Sequence, residues 1–371
     1  MPQSFTRFLL FFLIGLSVQV LAQEPQFSNF YATDIYTNPA FTGRSDHQYR
    51  ITTNFRRQWH KIGSFSTAYV SADYGFNQFG VGFTAYADEA GSAPLNTVQS
   101  AVSLSYGINI THKADLVIGF QGSYYDQQLK EEYIWIDDYL NNNPDAMAPG
   151  IQNRYFNLAT GLLLIHESFW LGVSLKDFLP NPGLNNASPY SLISAGRNSE
   201  AYYGRFSAHG GYSRYLMPRQ LFFSSYFNFR SRGTVRQWES GFNVAYRPVK
   251  PGGHAADIVA GVGGGYRGFL HTLENLSTRD AVIMNASLTW PKGLTSNTSP
   301  LWQHQIQVVY SYDITASRLS STGGAHEVTL ALKFSDFRLG SSWFETREQR
   351  RHIADPRDCK AGRVKDVYAP R

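Results

Sequence analysis

Ten histidines, a single cysteine and one glycine-rich hexad are the first places to look for chemistry in this chain of 371 residues. The histidines are scattered, no H-E-x-x-H sets two of them on one helix face, and Cys359 has no second thiol beside it, so no zinc ligand set forms. The run Gly263-Gly264-Gly265-Tyr266-Arg267-Gly268 satisfies G-x-G-x-x-G. A dinucleotide cradle also needs a helix opening behind the glycines, so that its N-terminus meets the pyrophosphate. Here the hexad lies inside an alternating segment with no helical period after it, and it reads as strand glycine. G-x-S-x-G is absent. The expectation is a non-enzymatic protein with no cofactor and no metal.

One stretch, the loop expected over residues 127–154, concentrates charge. Glu131, Glu132, Asp137, Asp138 and Asp145 face Lys130 and Arg154, with Tyr133, Trp135 and Tyr139 among them. The spacing fits no calcium loop. Two readings stay open: a solvated loop, or an acidic recognition surface with aromatic anchors on a rigid scaffold. A second long loop, residues 177–204, is stiffened at its base by Pro180 and Pro182 around Phe178 and Asn181, and is the other candidate recognition surface. The net charge of +5 comes without a basic stripe interleaved with aromatics, which speaks against nucleic acid.

The elements that must carry these loops show in the period of the sequence. In His326–Phe334, Val328, Leu330, Leu332 and Phe334 alternate with Glu327, Thr329, Ala331 and Lys333, so a strand here has one apolar and one polar face. The same period marks segments 49–57, 65–74, 79–87, 97–110, 115–126, 155–166, 169–176, 205–215, 221–230, 234–246, 257–267, 280–290, 303–313 and 326–334. Most are near the ~9–11 residues of a tilted membrane strand. Residues that would point inward are small or polar, among them Ser103, Ser105, Gly119, Gln121, Ser174 and Gln307. Val309 breaks that polar face.

Composition agrees. Charged residues are 16% and aromatics 15% of the chain, against roughly 25% charged in an average soluble domain. No stretch after the N-terminus approaches the ~18 apolar residues of a membrane helix. Residues 1–22, with Arg7, an apolar run from Phe8 to Leu16, and Val20-Leu21-Ala22, have the layout of a secretory signal cleaved near Ala22. The fold expected is an all-β, antiparallel outer-membrane β-barrel of about fourteen strands over 49–334, embedded in outer-membrane lipid. A secreted two-sheet protein is the rival architecture. All sixteen prolines fall outside the marked segments, as a hydrogen-bonded ladder requires. Short connections are expected on the periplasmic side and longer ones, including 88–96, on the other. Trp59, Trp170, Trp238, Trp290 and Trp302 are expected near strand ends, as interfacial girdles.

Two segments flank the barrel. Residues 23–48 hold Pro25, Pro39 and Gly43, which interrupt regular structure, yet Phe27, Phe30, Tyr31, Ile35, Tyr36 and Phe41 are too apolar for a free tail. That lead-in either packs on the first strands or serves as a lumenal plug or periplasmic docking element. Residues 335–371 form a charged periplasmic tail, either solvated or a partner contact through Arg350, Arg351, Lys360, Arg363 and Lys365.

The blocks Glu24-Pro25-Gln26-Phe27-Ser28 and Tyr36-x-Asn38-Pro39-Ala40-Phe41-x-Gly43 resemble the mature start of the PorP/SprF family of type IX secretion system membrane proteins. Arg56-Arg57-Gln58-Trp59 resembles its next block. Asp313, with Gly324, His326 and Glu327 after it, resembles its last hairpin. The resemblance implies a component of the type IX secretion or gliding machinery that delivers or anchors a large secreted adhesin through the cargo's C-terminal domain. It also implies contact with periplasmic ring or peptidoglycan-linked components. The competing class is an outer-membrane transporter or porin for small or hydrophobic solutes.

Overall fold

The computed structural model describes residues 25–335, except 62–63, 92–94, 112, 130–150, 180–203, 218–219, 233–234, 249–257, 271–277, 294–302 and 318–319. Fourteen strands close into an antiparallel barrel in which each pairs with its sequence neighbours and β1 pairs with β14. They are β1 (Tyr49–Gln58), β2 (Ser64–Phe76), β3 (Phe79–Gly91), β4 (Leu95–Thr111), β5 (Ala114–Leu129), β6 (Ile151–His166) and β7 (Phe169–Lys176). After them come β8 (Arg205–Met217), β9 (Leu221–Arg232), β10 (Val235–Tyr246), β11 (Val259–Phe269), β12 (Arg279–Gly293), β13 (Gln303–Thr315) and β14 (Ala325–Ser335). Closure leaves no sheet edge, so every strand can satisfy its backbone groups within the ring, as a lipid environment demands.

Alternation decides the two faces. On β4, Val102 and Leu104 are 55% and 58% exposed while Ser103 between them is fully covered. The outer surface is therefore an apolar band and the inner surface polar. That is the reverse of a soluble sandwich, whose apolar faces meet. At the end where the chain enters β1, Tyr49, Tyr74, Phe76, Phe79 and Tyr106 stack in a continuous row with centroid spacings of 4.4 to 5.7 Å. Their rings form the girdle there. Among the described residues no helix is long and apolar enough to cross a membrane.

The two ends differ. At the turn end, where β1 begins and β14 stops, β2–β3 and β6–β7 are joined by Asn77–Gln78 and Glu167–Ser168. At the opposite, loop end lie the two longest connections, 130–150 and 177–204. Strands run further than their apolar core. β5 and β6 pair out to Leu129 with Ile151, which narrows the loop expected at 127–154. The loop expected at 88–96 shrinks to 92–94 for the same reason.

Two expectations need correction. Pro291 lies inside β12, aligned with Gln305, rather than beyond it. It sits two positions from the strand's end at Gly293, where loss of one ladder donor is cheapest. Trp170 is not a girdle residue. It points into the lumen, 5% exposed, against Phe30 and Phe41.

Candidate functional site

Residues 25–48 run through the lumen. They contain one turn of helix, α1 (Asp34–Thr37), and a 3-10 turn at Pro39–Phe41, separated by Asn38 in an extended conformation. Their backbone groups are satisfied partly within the segment, as where the Asn38 N–H donates to the Asp34 carbonyl (2.9 Å), and partly by side chains of the barrel wall such as Glu327, Ser174 and Lys176, which is how irregular structure survives at membrane depth. The direction is fixed by two contacts. Ser28 bonds Glu327 and Asp313, near the loop end of β14 and β13. Arg44 donates to the carbonyl of Gln78, in a connection at the turn end. The segment thus enters near the long loops and leaves where β1 starts. It is held by strands from across the ring, not only the first few.

At its upper end the segment meets a buried ionic lattice. Glu327 accepts from the backbone N–H of Ser28 (2.7 Å) and Asn29 (3.0 Å), from Asn54 Nδ2 (2.7 Å) and from Arg56 Nη1 (3.0 Å). Four donors fill the acceptor sites of one carboxylate. Arg56 also bonds Asp313 (2.8 Å), and Arg267 reaches the same Asp313 oxygen (2.8 Å) and Asp280. The hydroxyl of Ser28 donates to Asp313 (2.7 Å) and accepts from Arg56 (2.7 Å). Gln58 accepts from Arg56 at 3.3 Å. Each of these charges has an opposite partner, although Asp313 Oδ1 itself accepts no hydrogen bond, and the pairing avoids the several kcal/mol a lone buried ion would cost.

Below it, Tyr36 lies under two cations. Lys176 Nζ and the Arg205 guanidinium sit 4.2 and 4.7 Å from its ring centroid, and both donate to its carbonyl. The Tyr36 hydroxyl donates to the carbonyl of Pro25 (3.3 Å), folding the chain back on itself. Phe27, Tyr36, Tyr69, Tyr86 and Tyr125 make one aromatic cluster, and Phe30, Ile35, Ala40, Phe41 and Trp170 belong to another. Val309, which interrupts the polar face of β13, packs on Tyr31 and so has an apolar neighbour inside the lumen.

Mid-lumen, Asn38 is the hub. Its Oδ1 caps the 3-10 turn through the N–H of Ala40 (2.8 Å). Its Nδ2 lies within 3.2 Å of the carbonyls of Leu162 and Val173 and of His209 Nε2. The approach is close enough that a Cβ at Gly161 would collide with Asn38 Oδ1. At the turn end Arg50 pairs with Asp34 and Asp73, each at 2.8 Å, and Asp73 takes the N–H of Gly43. Gly43 has φ +68° and its Cα side faces Gly75 and Gly80, so only glycine fits.

The residues singled out in sequence fall into three groups. Phe27, Asn38, Pro39, Ala40, Gly43, Asp313 and Glu327 are buried in the lumen, where Pro25 accepts from Tyr36 and Gln58 from Arg56. Gln26 is half-buried beside Phe27. Trp59, Gly324 and His326 instead form a rim at the loop end. The N–H of Trp59 donates to the Gly324 carbonyl (2.9 Å), and His326 faces outward beside Tyr310 (2.8 Å). Glu131, Glu132, Tyr133, Trp135, Asp137, Asp138 and Asn181 lie outside the described residues, as do Arg350, Arg351, Lys360, Arg363 and Lys365. Phe178 is exposed at the base of its loop, next to a buried Asp177 that accepts from Tyr125 (2.7 Å).

Sequence reasoning passed over Arg50, Asn54, Lys176, Arg205, His209 and Arg267 as site residues. The signal was available. A charged or strongly polar side chain at an inward position of a membrane strand needs a partner there, so each of them marks a lumenal contact.

This lattice has no arrangement of nucleophile and base. Among the described residues no group of three or more His, Cys, Asp or Glu could hold a metal. What it can do is hold a segment of chain fast across a pore.

Compared with known proteins, residues 20–332 match the family described as type IX secretion system membrane protein PorP/SprF. No curated protein matches the chain by sequence. Among solved structures it is similar to a Pseudomonas aeruginosa FadL homologue, with 10% identity, covering 83% of this chain and 94% of that one at a TM-score of 0.48. The Ralstonia pickettii toluene transporter TbuX gives 10%, 83%, 94% and 0.46. The Pseudomonas putida toluene transporter TodX gives 7%, 85%, 95% and 0.45. At such identities and scores the likeness is one of barrel to barrel and bears on nothing else.

Proposed function

The chain belongs to the PorP/SprF family of type IX secretion system membrane proteins, and on that premise we propose that it is a non-enzymatic outer-membrane component which delivers or anchors a large secreted surface adhesin and contacts the periplasmic machinery. The observation that carries this reading is the lead-in bonded across the lumen from Glu327 to Gln78. A barrel filled in this way offers its rims and loops to partners, where a conduit for solutes would offer its bore. Loops at the loop end, residues 130–150 and 177–204, hold the cargo's C-terminal domain. The tail beyond Ser335, through Arg350, Arg351, Lys360, Arg363 and Lys365, meets periplasmic ring or peptidoglycan-linked components. Residues 1–22 serve as the export signal, cleaved near Ala22.

Replacing residues 131–149 by a short Gly-Ser turn tests the cargo assignment. The two strands pair out to Leu129 and Ile151, so the ring is left intact. Cargo should leave the cell surface and accumulate in the medium, while the variant barrel stays in the outer-membrane fraction. Undiminished surface retention would mean that this loop is not the holder.

A further inference from the structure

The outer face of the barrel is not evenly filled. Between β6 and β9 a depression of about 750 Å³ opens in the apolar band. It exists because the outward positions of β8 carry Ala208 and Gly210, flanked by large side chains on both neighbours. Gly210 stands opposite Leu171 and Phe227, and Ala208 opposite Val173 and Phe229. Leu171, Val173 and Phe227 are 55%, 42% and 46% exposed, so the walls stand proud of the floor. The depression lies in the turn-end half of the wall, and Tyr212 and Phe169 close it on that side.

Two positions beyond Tyr212, on the same outward face, is Arg214. Successive same-face residues of a strand are separated by ~7 Å, so the guanidinium stands at the turn-side rim of the groove. Arg214 is exposed, and among the described residues no ion pair involves it. A cation next to a membrane strand's end is ordinarily drawn to a lipid headgroup. The volume is within the ~300–1,000 Å³ of small-molecule sites. It opens on the lipid-facing surface, so the occupant must be a membrane component.

We propose that this groove is a binding site for one phospholipid of the turn-side leaflet. One acyl chain lies over Ala208 and Gly210 between Leu171 and Phe227, and the phosphate faces Arg214 with the Tyr212 hydroxyl beside it. The lipid completes the outer contour of β7–β9, where the wall's own side chains fall short. This site needs only the membrane-spanning barrel, and does not depend on the cargo assignment.

The test is native mass spectrometry of the full-length protein, purified from outer membranes in mild detergent and stripped of loose lipid. The wild type should keep one phospholipid per chain. Gly210→Leu fills the floor from outside the lumen and should abolish the retained lipid. Ala208→Val, a smaller fill that a strand accepts readily, keeps the test decisive should the leucine variant not fold. Arg214→Gln should lower occupancy by about fivefold, the worth of one surface cation near a phosphate. Equal retention by wild type and the filled variants would overturn the site. So would a second copy of the chain, or a membrane protein, lost from the filled variants in place of the lipid.

Discussion

At the scale of residues, Glu327 holds the lead-in more directly than any apolar contact does. Its four donors come from the lead-in, from β1 and from no other source, so a neutral replacement cannot satisfy them. Glu327→Gln turns one acceptor into a donor that faces donors, and removes the charge opposite Arg56. Breaking one side of a buried pair costs ~3–5 kcal/mol. The expected outcome is faster hydrogen exchange at the amides of Ser28 and Asn29 and a lower thermal midpoint in detergent. Unchanged protection at those amides would mean that Asp313 alone holds the segment. The polar parity of Glu327 and Asp313 was plain in the sequence, since both alternate with lipid-facing neighbours. Their shared partner was not, because Ser28 is 299 positions from Glu327 and nothing local records such a pairing.

At the scale of elements, the strands were legible for a physical reason: one face meets lipid and the other does not, so period two is enforced over every crossing. The ends were less so. Pairing continues past the apolar band into polar residues such as Gln127 and Gln128 of β5, where hydropathy no longer alternates. Pro291 escaped for the same reason. The lead-in was legible as irregular and apolar, but its course was not, because its order comes from side chains of distant strands. Removing residues 25–41 from the exported chain should therefore leave the ring closed and its bore open. In planar bilayers the shortened protein should conduct ions, and the intact one should not at the same voltages. Conductance by the intact chain would favour passage of solutes over a holding role.

At the scale of the whole molecule, the lead-in begins and the last strand ends on opposite faces of the ring. Ser28 lies near the start of β14, whereas Ser335 closes it at the turn end. With short turns facing the periplasm, an epitope placed directly before Pro25 should label on intact cells. One placed after Ser335 should label only after the outer membrane is opened. If both label from one side, the direction of the lead-in is wrong.

The bond between Ser28 and Glu327 has a bearing on how the molecule is made. Residues near the start of the chain wait for some of the last to be exported before either is satisfied. Contacts so remote in sequence form slowly, and until they form the greasy strand faces are a hazard for aggregation. A copy cut short before β14 would lose the seam and the anchor of its own first segment together. A half-made barrel would then differ from a finished one at both termini, giving assembly and degradation factors a clear mark by which to tell them apart.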